Sequence, residues 1–235
     1  MIRWRCPLVV TGTDTGVGKT VVAAGIAAAA ARRGQRVAVL KPAQTGDDDD
    51  AGTVARLGSP ATVTCLVRYP DPLAPLAAAN AAGLPPLPMR RVIDAAAELA
   101  DSHDLVLLEG AGGLLVPMGL ASGRAWTVAD LAVALGAPAV VVVRASLGTL
   151  NHTALTVEAL HRRGVPTSLV IGSWPRLPEL VHRSNLTDLA GIAELVGRVP
   201  EGSGQLTPEQ FRRQAPDWFD NDRVGWIPVG HRVSG

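Results

Sequence analysis

Leu8 to Thr20 reads LVVTGTDTGVGKT, and these residue types at this spacing suit one task, the holding of a chain of phosphates. Gly12, Thr13, Asp14, Thr15, Gly16, Val17 and Gly18 form a loop that ends in Lys19 and Thr20. Backbone N–H groups of such a loop surround phosphate oxygens. The N-terminus of the helix that follows adds positive potential, the Lys neutralises charge and the Thr hydroxyl can ligate Mg2+. The usual spacing puts four residues between the first Gly and Gly-Lys-Thr, but here that first position is Thr13 and Gly12 lies one residue earlier. The bland alternative is a Gly-rich turn with a solvated Lys. The apolar strand before the loop and the helical pattern after it favour a nucleoside triphosphate site.

Of 22 basic residues only Lys19 and Lys41 are lysines, the rest being Arg. A coding bias toward Arg explains the surplus, and Lys then survives where a compact ammonium cannot be replaced by a planar guanidinium. Lys41 closes the apolar run Val37–Leu40, so it stands, with Gln44 and Thr45, at a strand's carboxyl end, the edge that carries ligands in open α/β sheets. Asp47 to Asp50 follow. A run of four carboxylates reads either as a solvated loop or, at the start of a short helix over 51–57 with Asp50 at its N-cap, as a group facing a divalent cation. Glu109 ends the apolar run Leu105–Leu108, where a carboxylate calls for a pair or a metal, and Gly110 to Gly113 let backbone approach a ligand. The stretch Gly148, Thr149, Leu150, Asn151 opens a further helix over 151–163. It repeats the phosphate-loop layout without a Lys, so it is either an ordinary capped loop or a site for a weaker anion such as a carboxylate.

Short apolar runs alternate with helical patterns along the chain: strands at 8–10, 37–40, 63–67, 105–108, 139–143 and 167–171, helices at 20–33, 89–100 and 128–135. That alternation predicts an α/β fold with a parallel sheet. The most β-branched run, 139–143, is placed centrally. A Pro-initiated helix is expected within YPDPLAPLAAANAAG, a helix capped by Ser184 over 185–196, and a short surface helix over 208–214 in a tail whose Trp218, Phe219 and Trp226 carry no clear pattern.

At 235 residues the chain suits one domain. A net charge of +1, with no Lys/Arg run longer than two, gives none of the footprint that nucleic acid or an anionic membrane requires. Cys6 and Cys65 form no CxxC pair, no apolar run approaches the roughly 18 residues of a membrane span, and the N-terminus lacks a signal-peptide core. A cytoplasmic protein acting on small molecules is expected. The five His show no zinc spacing, and there is no GxSxG nucleophile elbow.

VTGTDTGVGKT, KPAQTG, LLEGAGGLLVP and SLGTLNHT, in this order, resemble the dethiobiotin synthetases over about residues 8–200. The family's loop carries the same extra residue. The resemblance implies a mostly parallel sheet flanked by helices in the three-layer, P-loop NTPase-like manner, and a homodimer. It implies ring closure of 7,8-diaminononanoate with CO2 and ATP, through a carbamate and its phosphoric anhydride, to dethiobiotin, ADP and phosphate. By the same match, Lys19 holds the β/γ phosphates, Thr15 and Thr20 line the loop, and Thr20, Asp50 and Glu109 hold Mg2+. Lys41 stabilises the carbamate with help from Thr45, Gly110 and Gly112 border the nucleotide, and Gly148–Asn151 take the substrate carboxylate. Many members carry an Asn after the strand placed at 167–171. This chain has Gly172 and Ser173, which leaves base recognition to backbone groups and the choice among ATP, CTP and GTP open. The rival is a regulatory or partitioning ATPase of the related deviant-loop class, whose signature Lys would fall at Asp14.

Overall fold

Every residue of Leu8–Gly12 is buried, as a parallel strand covered on both faces requires. The computed structural model describes residues 7–220. In chain order its elements are β1 (Leu8–Gly12), α1 (Lys19–Arg32), β2 (Val37–Thr45), α2 (Asp50–Gly58), β3 (Thr62–Tyr69), α3 (Pro75–Ala81), α4 (Met89–Ser102), β4 (Leu105–Glu109) and the short strands β5 (Gly119–Ala121) and β6 (Arg124–Trp126). There follow α5 (Val128–Leu135), β7 (Ala139–Val143), α6 (Thr149–His161), β8 (Thr167–Trp174), α7 (Leu180–Ile192), β9 (Glu194–Pro200) and α8 (Pro208–Gln214). Seven strands form one sheet in the order β3-β2-β4-β1-β7-β8-β9, and every pairing in it is parallel. β5 and β6 make a separate antiparallel pair.

The α/β expectation is met. β1 takes the centre and β7 lies beside it. From β1 the chain moves outward to β2 and β3, returns to β4, then crosses to β7, β8 and β9. The carboxyl end of β1 is therefore flanked by connections leaving in opposite directions, the place where open α/β sheets bind ligands. Alternate residues feed two cores: Val9, Leu40 and Val141 face one, Val10, Val39 and Val142 the other. α1 belongs to the second and is buried along most of its length, which its run of small Ala residues permits.

β2 runs on past Lys41 to Thr45 because Pro42 lies where β2 has outrun β4, whose pairing ends at Leu40, so the missing N–H costs no bond on that side. α6 starts at Thr149, two residues earlier than expected. The helix expected over 185–196 is corrected on both ends. α7 begins at Leu180 behind Glu179, which leaves Ser184 inside the helix, and Glu194–Val196 belong to the edge strand β9. Gly197 and Arg198 interrupt the apolar pattern of that strand and hide it.

The tail helix falls where expected, over Pro208–Gln214. Trp218 and Phe219 are buried rather than scattered. Phe211 meets Trp218 edge-on at 5.0 Å, and Phe219 bridges to Gly197 and fills the space over Gly25, where an added methyl would lie 3.1 Å from its ring. Cys6 and Trp226 lie outside the described residues. Phe219→Ala should lower the unfolding free energy by about 3–5 kcal/mol, as loss of a buried aromatic does. Urea denaturation measures it, and a loss below about 1 kcal/mol would place the tail outside the cooperative core.

Candidate active site

The loop between β1 and α1 is shaped by backbone contacts. Gly18 adopts φ +98° and ends it as the helix N-cap with no side-chain cap, the arrangement in which first-turn N–H groups can serve an anion. A Cβ on Gly172, near the end of β8, would lie 1.9 Å from the carbonyl oxygen of Val17, and one on Gly18 would lie 2.8 Å from that of Gly172. The loop is thus seated directly on the backbone of a neighbouring strand. On its outer side the Arg144 guanidinium donates to the Thr15 carbonyl at 3.0 Å and lies 3.5 Å from the Asp14 carboxylate. Lys19 curls back so that Nζ donates to the carbonyl of Asp14 at 2.8 Å.

Next to the loop, four elements converge. The pairing of Val10 with Glu109 fixes the Glu beside β1, and Lys41 projects from β2 on the far side of β4. Lys41 Nζ donates to Asp50 Oδ2 at 2.6 Å, to Glu109 Oε1 at 2.9 Å and to the Gly110 carbonyl at 3.2 Å. Thr20 Oγ1 lies 2.8 Å from both Asp50 Oδ1 and Glu109 Oε1. The Lys41 and Glu109 side chains are only 3% and 1% exposed, whereas Asp50 keeps 28%. Asp50 is not the N-cap expected of it. Asp49 takes that role, accepting from Gly52 N–H at 3.1 Å. That leaves the Asp50 carboxylate free to turn inward, while its own N–H donates to Gln44 Oε1 at 3.2 Å.

Two ammoniums and two carboxylates balance here. Burial, then the charge of Lys41, lowers the Lys19 pKa to about 8. Burial also pulls on Lys41, but Glu109 and Asp50 outweigh it and raise its pKa. Asp50 is pushed up by burial and down further by Lys41, with a net lowering. Lys41 and Asp50 are therefore held charged at neutral pH by a wide margin.

A single hydroxyl proton on Thr20 cannot serve two carboxylates, so Thr20 Oγ1, Asp50 Oδ1 and Glu109 Oε1 crowd together with one proton among them, while Lys41 Nζ reaches Glu109 Oε1 and the other Asp50 oxygen. Among the described residues no three His, Cys, Asp or Glu group into a metal cage. Two carboxylates and a hydroxyl are nonetheless a donor set that fits Mg2+, which takes few protein ligands and completes its shell with phosphate oxygens and water.

The remaining expected residues fall around this centre. Gly110 N–H pairs with the Val10 carbonyl, and the Gly110–Gly113 turn, with Gly112 at φ +67°, packs beside the phosphate loop. Thr45 lies on the Lys41 side of β2, half-buried, and its hydroxyl stands outside the network. Gly148, at φ +92°, caps α6 without a side-chain hydrogen bond and so repeats the Gly18 geometry. Gly172 and Ser173 border a cleft of about 180 Å³ that continues past Val17 to Val199, Pro200 and Ser203. The positioning roles of Gln44, Arg144 and Gly172 were not expected. For Arg144 the available signal was a cation at a strand's end; for Gly172 there was none, because its constraint is backbone packing.

A family model described as an AAA domain matches residues 7–210. An ATP-dependent dethiobiotin synthetase of Streptomyces avermitilis is 53% identical over 219 residues, covering 90% of this chain and 91% of its own. Its counterpart from Rhodococcus jostii is 52% identical, covering 91% and 94%. A ParA family ATPase from Chlorobium tepidum superposes with a TM-score of 0.55 at 12% identity, covering 95% of this chain and 98% of its own, which shows a shared P-loop fold alone. With this site geometry and relatives above half identity over nine-tenths of their length, the chain belongs to the dethiobiotin synthetase family.

Proposed function

We propose that this protein closes the ureido ring of dethiobiotin from 7,8-diaminononanoate, CO2 and a nucleoside triphosphate. The observation that carries the reading is the convergence of Lys41, Asp50, Glu109 and Thr20 beside the phosphate loop. The phosphate loop and Lys19 hold the triphosphate. Thr20, Asp50 and Glu109 would hold Mg2+, which supplies charge neutralisation for phosphoryl transfer when bound. One substrate amine takes up CO2 as a carbamate, and a carbamate oxygen attacks the terminal phosphorus, releasing the nucleoside diphosphate. The neighbouring amine then attacks the carbamoyl carbon, phosphate leaves with the C–O bond electrons, and the ring closes. No protein nucleophile is required. Lys41 stabilises the carbamate and the transferring phosphoryl group, assisted by Thr45.

The uncapped N-terminus of α6, Gly148–Asn151, receives the far carboxylate of the substrate. Leu147 and Leu155, 87% and 58% exposed at and along that helix, support burial against a second copy in a homodimer. The backbone-lined cleft at Gly172 and Ser173 takes the base. A single-domain cytoplasmic enzyme follows from the same reading.

Triphosphate turnover should require both diaminononanoate and bicarbonate and yield a cyclic urea. Turnover independent of the diamine would overturn the assignment, and running ATP, CTP and GTP in parallel reads the base preference. Lys41→Arg should lower kcat by about 100-fold or more, on the scale of displacing one preorganised donor, while the KM for triphosphate stays within a few-fold. Near-full activity would remove Lys41 from the reaction. A bound anion raises the pKa of Lys19 from about 8, so nucleotide binding above that pH should take up close to one proton, and affinity should fall as pH rises. Calorimetry at pH 9 in buffers of different ionisation enthalpy measures the uptake, and none is expected at pH 6.5.

A further inference from the structure

Asn185 sits in α7 and is 5% exposed. Its side-chain nitrogen donates to the carbonyl of Ala145 at 2.9 Å and to that of Ser146 at 3.1 Å. Those carbonyls belong to the turn between β7 and α6. The Ser146 carbonyl also accepts from Thr149 N–H at 3.3 Å, so the turn that leads through Gly148 into α6 is pinned at its start by one amide. The N-cap of α6 is a left-handed Gly with no side-chain cap hydrogen bond. A buried amide uses both of its N–H donors here, although a helix residue facing a core is ordinarily apolar. Replacing it by an apolar residue would leave the Ala145 carbonyl without this donor.

We infer that Asn185 is a positioning residue for substrate recognition, which acts on the diamine's carboxylate by holding the 145–149 turn so that the N–H groups at the start of α6 converge on that anion. This rests on the reading of Gly148–Asn151 as the carboxylate site. The two amide bonds transmit the position of α7 to the anion site, and they touch neither the triphosphate loop nor Lys41.

The test compares 7,8-diaminononanoate with 2,3-diaminononane, in which a methyl group replaces the carboxylate. Asn185→Ala should raise the KM for the carboxylate substrate about ten-fold, the scale of two lost hydrogen bonds, while kcat and the KM for triphosphate stay within two-fold. With 2,3-diaminononane the variant and the wild type should have equal KM. Both substrates are measured on one preparation, so a lowered folded fraction cancels from the KM ratio. Asn185→Ser, which keeps a donor and leaves a smaller void, serves if the Ala variant does not fold. An equal rise for both substrates, or no rise for either, would overturn the inference. If the wild type itself failed to distinguish the two diamines, the carboxylate reading of Gly148–Asn151 would be at fault.

Discussion

Two buried ammoniums and two carboxylates set the terms for this structure. Isolated ionised groups are too costly to bury, and removing one partner of a buried pair typically costs about 3–5 kcal/mol because the other charge is left uncompensated. Lys19, Lys41, Asp50 and Glu109 come from α1, β2, α2 and β4, so they can neutralise one another only if β2, β4 and β1 lie side by side in this order. The electrostatics of the site and the topology of the sheet are one constraint. A strand order that separated β2 from β4 would strand Lys41 in an apolar layer.

Backbone approach is the complementary constraint. The phosphate loop rests on Gly172, Gly58 lets α2 close on the backbone of α1 at Ala24, and Gly25 admits the Phe219 ring. Each is a place where a side chain would push one layer away from the next. An Ala-rich α1 can be gripped from three sides, by the sheet, by α2 and by the tail. The loop ahead of it inherits that rigidity, and its N–H groups are oriented before any ligand arrives, which is what electrostatic preorganisation demands.

What the sequence disclosed follows from how locally each feature is encoded. β1, the phosphate loop and α1 were legible because strand, Gly-rich turn and helix adjoin in the chain and each has its own pattern. The helix at 128–135 was legible for the same reason, since its capping box, with Thr127 and Asp130 bonded reciprocally, is short-range. The first three residues of β9 were read as the end of a helix and the rest as no element, because its seven residues are broken by Gly197 and Arg198, and its partner β8 lies more than twenty residues upstream. The acidic run was ambiguous for a related reason. Asp49 and Asp50 are adjacent and chemically identical, and only the Arg68 guanidinium, 2.8 Å from Asp49, and the Lys41 ammonium, 2.6 Å from Asp50, separate the exposed cap from the inward-facing carboxylate. Asn185 and Gly172 carry no local signal, because their meaning lies in carbonyls forty and 155 residues away.

The scarcity of lysine gains a geometric explanation from the network. Around Lys41 Nζ three acceptors stand at 2.6, 2.9 and 3.2 Å, contributed by an Asp, a Glu and a main-chain carbonyl. An ammonium presents three donors from one atom and rotates to meet acceptors that converge on a point. A guanidinium spreads five donors over a plane and suits paired oxygens lying side by side, so the same three acceptors could not all be met without moving a strand. Lys19 meets a related limit, because its Nζ must reach the Asp14 carbonyl from within a closed loop whose backbone is already in contact with Gly172. Elsewhere, as at Arg68, Arg90 and Arg144, the cation sits in solvent-accessible space where a planar fork is accommodated. The pressure toward Arg therefore stops at two buried points, where acceptors converge on Lys41 and where a closed loop confines Lys19, and the oxygens of Thr20, Asp50 and Glu109 lie beside them.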